Sequence, residues 1–182
     1  MIVPGTFMKK AMKGELPLLQ AAQSLQSELL MMMPEEIGDE PLAQEKYLVK
    51  NAKKIAILAA GAAAQRFMTK LDQEQEVLVN IANIANQLYA MESVVIRTQK
   101  AIERDGVEKA AQKILYTQIF CQEAFAIIEA EAKDTLLASV EGDAGRMTLS
   151  ALRKLTRNNP YNLIPKKREA AAKLIEAEKY VV

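Results

Sequence analysis

Two carboxylates, Glu92 and Glu123, fall close to the apolar stripes of two long helical stretches. A pair of acids there could hold a metal ion or exchange protons with a substrate. Arg97 is placed to act as an ion-pair partner for either. Histidine is absent from all 182 residues. The commonest general base and transition-metal ligand is therefore missing, and a ferritin-like di-metal site, which needs Glu-x-x-His pairs, cannot be built. Helical glutamates at the edge of an apolar stripe ordinarily reach water. Cys121, the single cysteine, lies on an apolar face and reads as a packed side chain rather than a nucleophile. No GxGxxG turn, P-loop or serine-nucleophile motif occurs. No residue is therefore assigned a catalytic, cofactor-binding or metal-ligating role.

Three weaker signals remain. Met31, Met32 and Met33 could make a pliable binding surface, though a helix end packed beneath a loop is the favoured reading. Tyr47, Tyr89, Tyr116, Tyr161 and Tyr180 are scattered and form no stacking platform. Arg146, Arg153, Lys154, Arg157, Lys166, Lys167, Arg168 and Lys173 make the last third basic. That tail reads first as a solvated face and second as a contact for an acidic chain or an anionic lipid. Nucleic acid is not expected, because the net charge is only +1 and no reading helix stands out.

The elements that position these residues are helices. Half the residues are apolar and 26% are charged, and the dominant types lose little rotamer freedom in a helix. Thr6 to Lys13 fits a short helix ended by Gly14. Pro17 fits the first turn of a helix running to Met33, where Pro34 stops it. Glu35 to Pro41 reads as an acidic loop. A first long helix is expected from Leu42 to Leu71, with Leu48, Ala52, Ile55, Ala59, Ala62 and Phe67 on its buried stripe. A second is expected from an Asp72 N-cap to Arg104, burying Val77, Ile81, Ile84, Leu88, Met91, Val95 and Ile102. Asp105 and Gly106 make the turn into a third, from Val107 to Val140. Its expected stripe is Ala111, Ile114, Cys121, Phe125, Ile128, Ala132 and Leu136.

Short connections between such long helices force antiparallel neighbours. The expected fold is all-α: an up-down bundle of about four long helices, followed by shorter helices over Ala144 to Arg157 and Lys166 to Lys179. Residues 15–142 would form the bundle, and residues 143–182 a basic arm packed on it. The longest apolar run, Ile55 to Ala64, is half alanine and far below the ~20 residues that span a bilayer. With one cysteine and no signal-peptide pattern, the expected location is the cytoplasm.

The stretch IVPGTFMKKAMKGELPLL, residues 2–19, resembles the end of the catalytic core of bacterial acyl-CoA dehydrogenases. Leu88-Tyr89-Ala90-Met91, the spacing of Cys121, Glu123 and Ala124, and a late basic helix ending in Asn159-Pro160 resemble the helical extension of the very-long-chain members. The matches run in the same order over most of the chain. The resemblance implies a parent that is an FAD-dependent oxidoreductase of fatty-acid β-oxidation. In that family a glutamate takes the α proton, the flavin takes the β hydride, and an electron-transferring flavoprotein receives the electrons. The family's glutamate and its Glu-Gly-Thr-Asn-type flavin motif precede the stretch matched here, so no residue inherits either role. Residues 1–14 would then be the remnant of the core's last helix. The implied task is structural: docking on the catalytic core of the same polypeptide and shaping a homo-oligomer, with no FAD held by this chain itself. Self-association through residues 6–13 is a further expectation, because that helix would lack its packing partners. Peripheral membrane contact is less favoured, since no stretch sets bulky apolar residues against a strongly basic face. Two rivals stay open: a free-standing helical adaptor, and a bundle that holds an acyl chain.

Overall fold

A computed structural model describes residues 6, 10, 17–31 and 36–179. Six α-helices account for most of them: α1 (Leu18–Met31), α2 (Ala43–Phe67), α3 (Gln75–Asp105), α4 (Ala111–Ser139), α5 (Gly142–Leu155) and α6 (Leu163–Ala177). A 3-10 segment, Met68–Gln73, joins α2 to α3. The described residues contain no strand. The fold is an all-α bundle, as its helical periodicity requires. Thr6 and Lys10 are helical, but the rest of the expected 6–13 helix, Gly14, Met32, Met33 and Pro34 lie outside the described residues.

Helix directions follow from paired side chains. Thr98 meets Thr117, and Asn83 meets Glu131, so positions on α3 fall as their partners on α4 rise. Lys54 pairs with Glu28, and Gly61 faces Ala22, which makes α1 antiparallel to α2. Lys53 and Glu92 set α2 against α3 in the same sense, while Arg66 and Glu141 tie the far ends of α2 and α4 together. The order is up, down, up, down.

One apolar core joins all these elements. Leu48, Ala52, Ile55 and Ala59 from α2 meet Ile84, Met91 and Val95 from α3, and Cys121, Phe125, Ile128, Ala132 and Leu136 from α4. Leu25 and Leu29 from α1 and Leu152 and Leu155 from α5 close the same cluster. Most of the expected stripe is therefore buried, but Ala62, Phe67, Leu88, Ile102 and Ile114 are only partly so and Ala111 is exposed. At the start of α4 the inward positions are Gln112 and Leu115 instead.

Three boundaries depart from expectation. The first long helix stops at Phe67, where Met68 takes a positive φ of 48°. The chain then turns back through the 3-10 segment and drops Leu71 into a second cluster with Ala60, Ala63, Val77, Leu78 and Ile81. Burial of that leucine overrides the helical periodicity. In consequence Asp72 lies inside the 3-10 segment, and Glu74 precedes α3 without a side-chain cap. Gly106, at φ 85°, ends α3 as expected, since a side chain there would be strained. Residues 107–110 form turns, so α4 begins at Ala111 rather than Val107. The last two helices begin earlier than expected. Asn162 caps α6 by accepting from the Ile164 N–H, which leaves Pro165 in the first turn, where its missing N–H costs nothing.

Candidate functional site

The structure separates the carboxylates that the sequence offered. Glu92 pairs with Lys53 across α2 and α3 at 2.5 Å, and Glu123 pairs with Lys167 of α6. Arg97 is exposed and serves neither. Both ion pairs are part-exposed bridges of the kind that contributes little. Among the described residues, no three His, Cys, Asp or Glu side chains converge as metal ligands do.

The basic tail is largely engaged with its own chain. Arg146 pairs with Asp143 on the same helix, and Lys154 donates to the Leu29 carbonyl at the end of α1. Lys166 donates to Gln118 Oε1 at 2.6 Å and lies 4.6 Å from the Tyr161 ring centroid. Lys173 pairs with Glu169 one turn away.

The most unusual chemistry among the described residues surrounds Glu45, which carries no signal in the sequence motifs above. Glu45 enters α2 one turn before Leu48, and positions 45, 48, 52 and 55 share one face. Its carboxylate is therefore carried into the core with them, leaving the residue 1% exposed. Neither carboxylate oxygen has a hydrogen bond of ordinary geometry. Around it stand Cys121 from α4, Tyr161 from the α5–α6 connection and Lys166 from α6. Desolvation raises the Glu45 pKa above the ordinary value; its own backbone amide, the Tyr161 phenol and the Lys166 charge pull the other way and lose. The same burial, with Glu45 beside it, pushes the Cys121 thiol up to about 12. Such a thiol is protonated and inert at neutral pH. Tyr161 is raised as well, by burial first and by Glu45 second.

The segment over Glu45 is tied down at three points. Gln44 Nε2 donates to the Asn159 carbonyl at 3.1 Å and to Asn158 Oδ1 at 3.5 Å, and the Tyr47 hydroxyl donates to the Arg157 carbonyl at 3.1 Å. Gln44 and Tyr47, one turn apart at the start of α2, thus hold the connection across the helix end. The sequence signal for this site was available: Glu45 belongs to the same period as the stripe that begins at Leu48.

A second feature is a cleft of about 360 Å3 between α2 and α3. Val49, Val95 and Ile96 line it, with Lys46, Glu92, Gln99, Lys100 and Glu103 around them. Tyr89, 76% exposed, stands two turns before Ile96 on α3, so the two make a short apolar stripe beside the cleft.

Comparison with known proteins adds three findings. The family model described as "Acyl-CoA dehydrogenase, C-terminal domain" matches residues 51–154. A "Probable acyl-CoA dehydrogenase" of Bacillus subtilis (strain 168) is 65% identical over 182 residues, which is all of this chain and 31% of that protein. The crystal structure of an acyl-CoA dehydrogenase complexed with FAD from Bacillus anthracis superposes with a TM-score of 0.94 at 65% identity, over 100% of this chain and 30% of that one. The chain thus spans under a third of the length of either relative.

Proposed function

The chain belongs to the acyl-CoA dehydrogenase C-terminal-domain family, and from that premise we propose that it is the helical structural and docking domain of an FAD-dependent enzyme of fatty-acid β-oxidation, without catalysis of its own. The observation that carries this reading is the extent of the match. All of the chain aligns, at 65% identity, with less than a third of an acyl-CoA dehydrogenase whose crystal structure contains FAD.

The α2–α3 cleft offers a flavin no pyrophosphate cradle. The α2–α3 cleft is lined by mid-helix residues, whose backbone N–H groups are spent on intrahelical bonds and cannot cradle a pyrophosphate. Lys46 and Lys100 beside it are balanced by Glu92 and Glu103, so the cleft presents no excess positive charge to one. In this reading the flavin and the acyl-CoA belong to the remainder of the polypeptide, and this chain supplies a rigid surface. The Tyr89–Ile96 stripe supports that role, as do Ile164 and Ile175 on α6, exposed at 62% and 76%. The same reading covers a homo-oligomeric parent, self-association through residues 6–13, and a cytoplasmic location. Among the described residues no helix is long and apolar enough to cross a membrane.

The test is direct. Expressed alone, the chain should purify colourless and leave FAD fluorescence unchanged on titration. Fused to the remainder of the Bacillus subtilis relative, it should give a yellow protein that acyl-CoA bleaches. An isolated chain that is itself yellow and bleached by acyl-CoA would overturn the proposal.

A further inference from the structure

We propose that the α5–α6 connection and the first turn of α6 form a latch over Glu45, closed while that carboxyl is protonated and loosened when it ionises. The latch is a distinct structural unit. Residues 157–162 carry no regular structure, and Gln44 and Tyr47 of α2 hold them by hydrogen bonds. Beyond them, α6 buries only Ala170 and rests on α4 through Lys166 to Gln118 and Lys167 to Glu123. An element with so little buried surface opens at a lower free energy than the core beneath it.

Glu45 supplies the trigger. It is 1% exposed, both oxygens lack a hydrogen bond of ordinary geometry, and Tyr161 and Lys166 of the latch lie beside it. The groups that face it are Cys121 from α4, Tyr161 from the connection and Lys166 from α6. The Glu45 backbone amide, the Tyr161 phenol and Lys166 favour a negative charge there but do not offset its desolvation, and the Lys166 ammonium is shared with Gln118 and the Tyr161 ring. An ionised Glu45 is therefore poorly compensated when closed and fully hydrated when open. Because the closed-state pKa is raised, closure is fully favoured below the ordinary carboxylate value of 4.5. The advantage declines as pH climbs from there to the closed-state value. The proposal does not depend on the docking reading above, since every group in it lies within this chain.

Cys121 reports on the latch, being the sole thiol of the sequence, fully buried and adjacent to Glu45. The experiment measures the rate of N-ethylmaleimide addition to Cys121 in the native chain, divided by the rate in the denatured chain at the same pH. In the unmodified protein this ratio should climb with pH above 4.5, by up to about tenfold per unit before levelling. Glu45→Gln should abolish the climb, and small additions of urea should leave the rate unchanged, as expected for local opening. Parallel pH profiles for the two proteins, or labelling that rises steeply with urea, would overturn the proposal. Hydrogen exchange of the unmodified chain keeps the test independent of the variant. Amides of 157–177 should lose protection with pH, after correction for intrinsic rates, while those of α2 to α4 keep theirs. Equal loss everywhere would count against the latch.

Discussion

At the scale of single residues, the informative groups are polar ones inside the core. Thr98 and Thr117 share a buried hydrogen bond of 2.7 Å between α3 and α4. Replacing either by valine strands the other hydroxyl and should cost about 1–3 kcal/mol. Replacing both should cost less than the sum, and urea melts of the four proteins read the coupling. Glu45 behaves in the opposite sense. Its folded-state pKa is raised, so the buried carboxyl weakens the fold progressively as pH rises above 4.5. Glu45→Gln should raise the melting temperature at pH 8 by more than it does at pH 4. Equal shifts at both values would show that Glu45 carries no ionisation cost. The sequence hid this residue because net charge counting treats every acid alike. Only its period with Leu48, Ala52 and Ile55 distinguishes it from the exposed Glu36, Asp39 and Glu40. Glu92 and Glu123 attracted notice for being near apolar stripes, yet each lies just outside its stripe and finds a lysine there.

At the scale of elements, helix existence was legible in the sequence and helix ends were not. Three long apolar periods and the Asp105-Gly106 turn gave α2, α3 and α4 within a few residues. The end of α2 could not be read locally, because Met68 turns back to bury Leu71 in a cluster built from α2 and α3. The partners of that leucine are known only once the helices have paired. The α1–α2 contact is another such case. Gly61 lies so close to α1 that an added Cβ would stand 2.7 Å from the Ala22 Cβ. Alanine normally stabilises a helix by about 1 kcal/mol over glycine. Here Gly61→Ala should instead destabilise, by about 1–3 kcal/mol, because α1 must move away from its packed position. Adding Ala22→Gly should recover part of the loss despite its own helix cost. A stabilised Gly61→Ala protein would mean that α1 is not seated as described.

At the scale of the whole molecule, the bundle has a continuous core and ion-paired flanks, and α3 carries three of its exposed large apolar side chains, Val79, Tyr89 and Ile96, against two each on α4 and α6. The family resemblance in residues 2–19, 88–91 and 121–124 was readable, and the match over 51–154 agrees with it. The exposed stripe on α3 was not readable, because exposure of Tyr89 and Ile96 depends on which side of α3 the other helices leave uncovered. The proposed function has this chain dock on the remainder of an acyl-CoA dehydrogenase. The most direct measurement mixes the purified chain with the remaining polypeptide of the Bacillus subtilis relative and follows binding by calorimetry. A saturable complex is expected, weakened at least about tenfold by Tyr89→Ser with Ile96→Ser, as for loss of a central apolar anchor. The absence of any complex between two folded partners would contradict the claim.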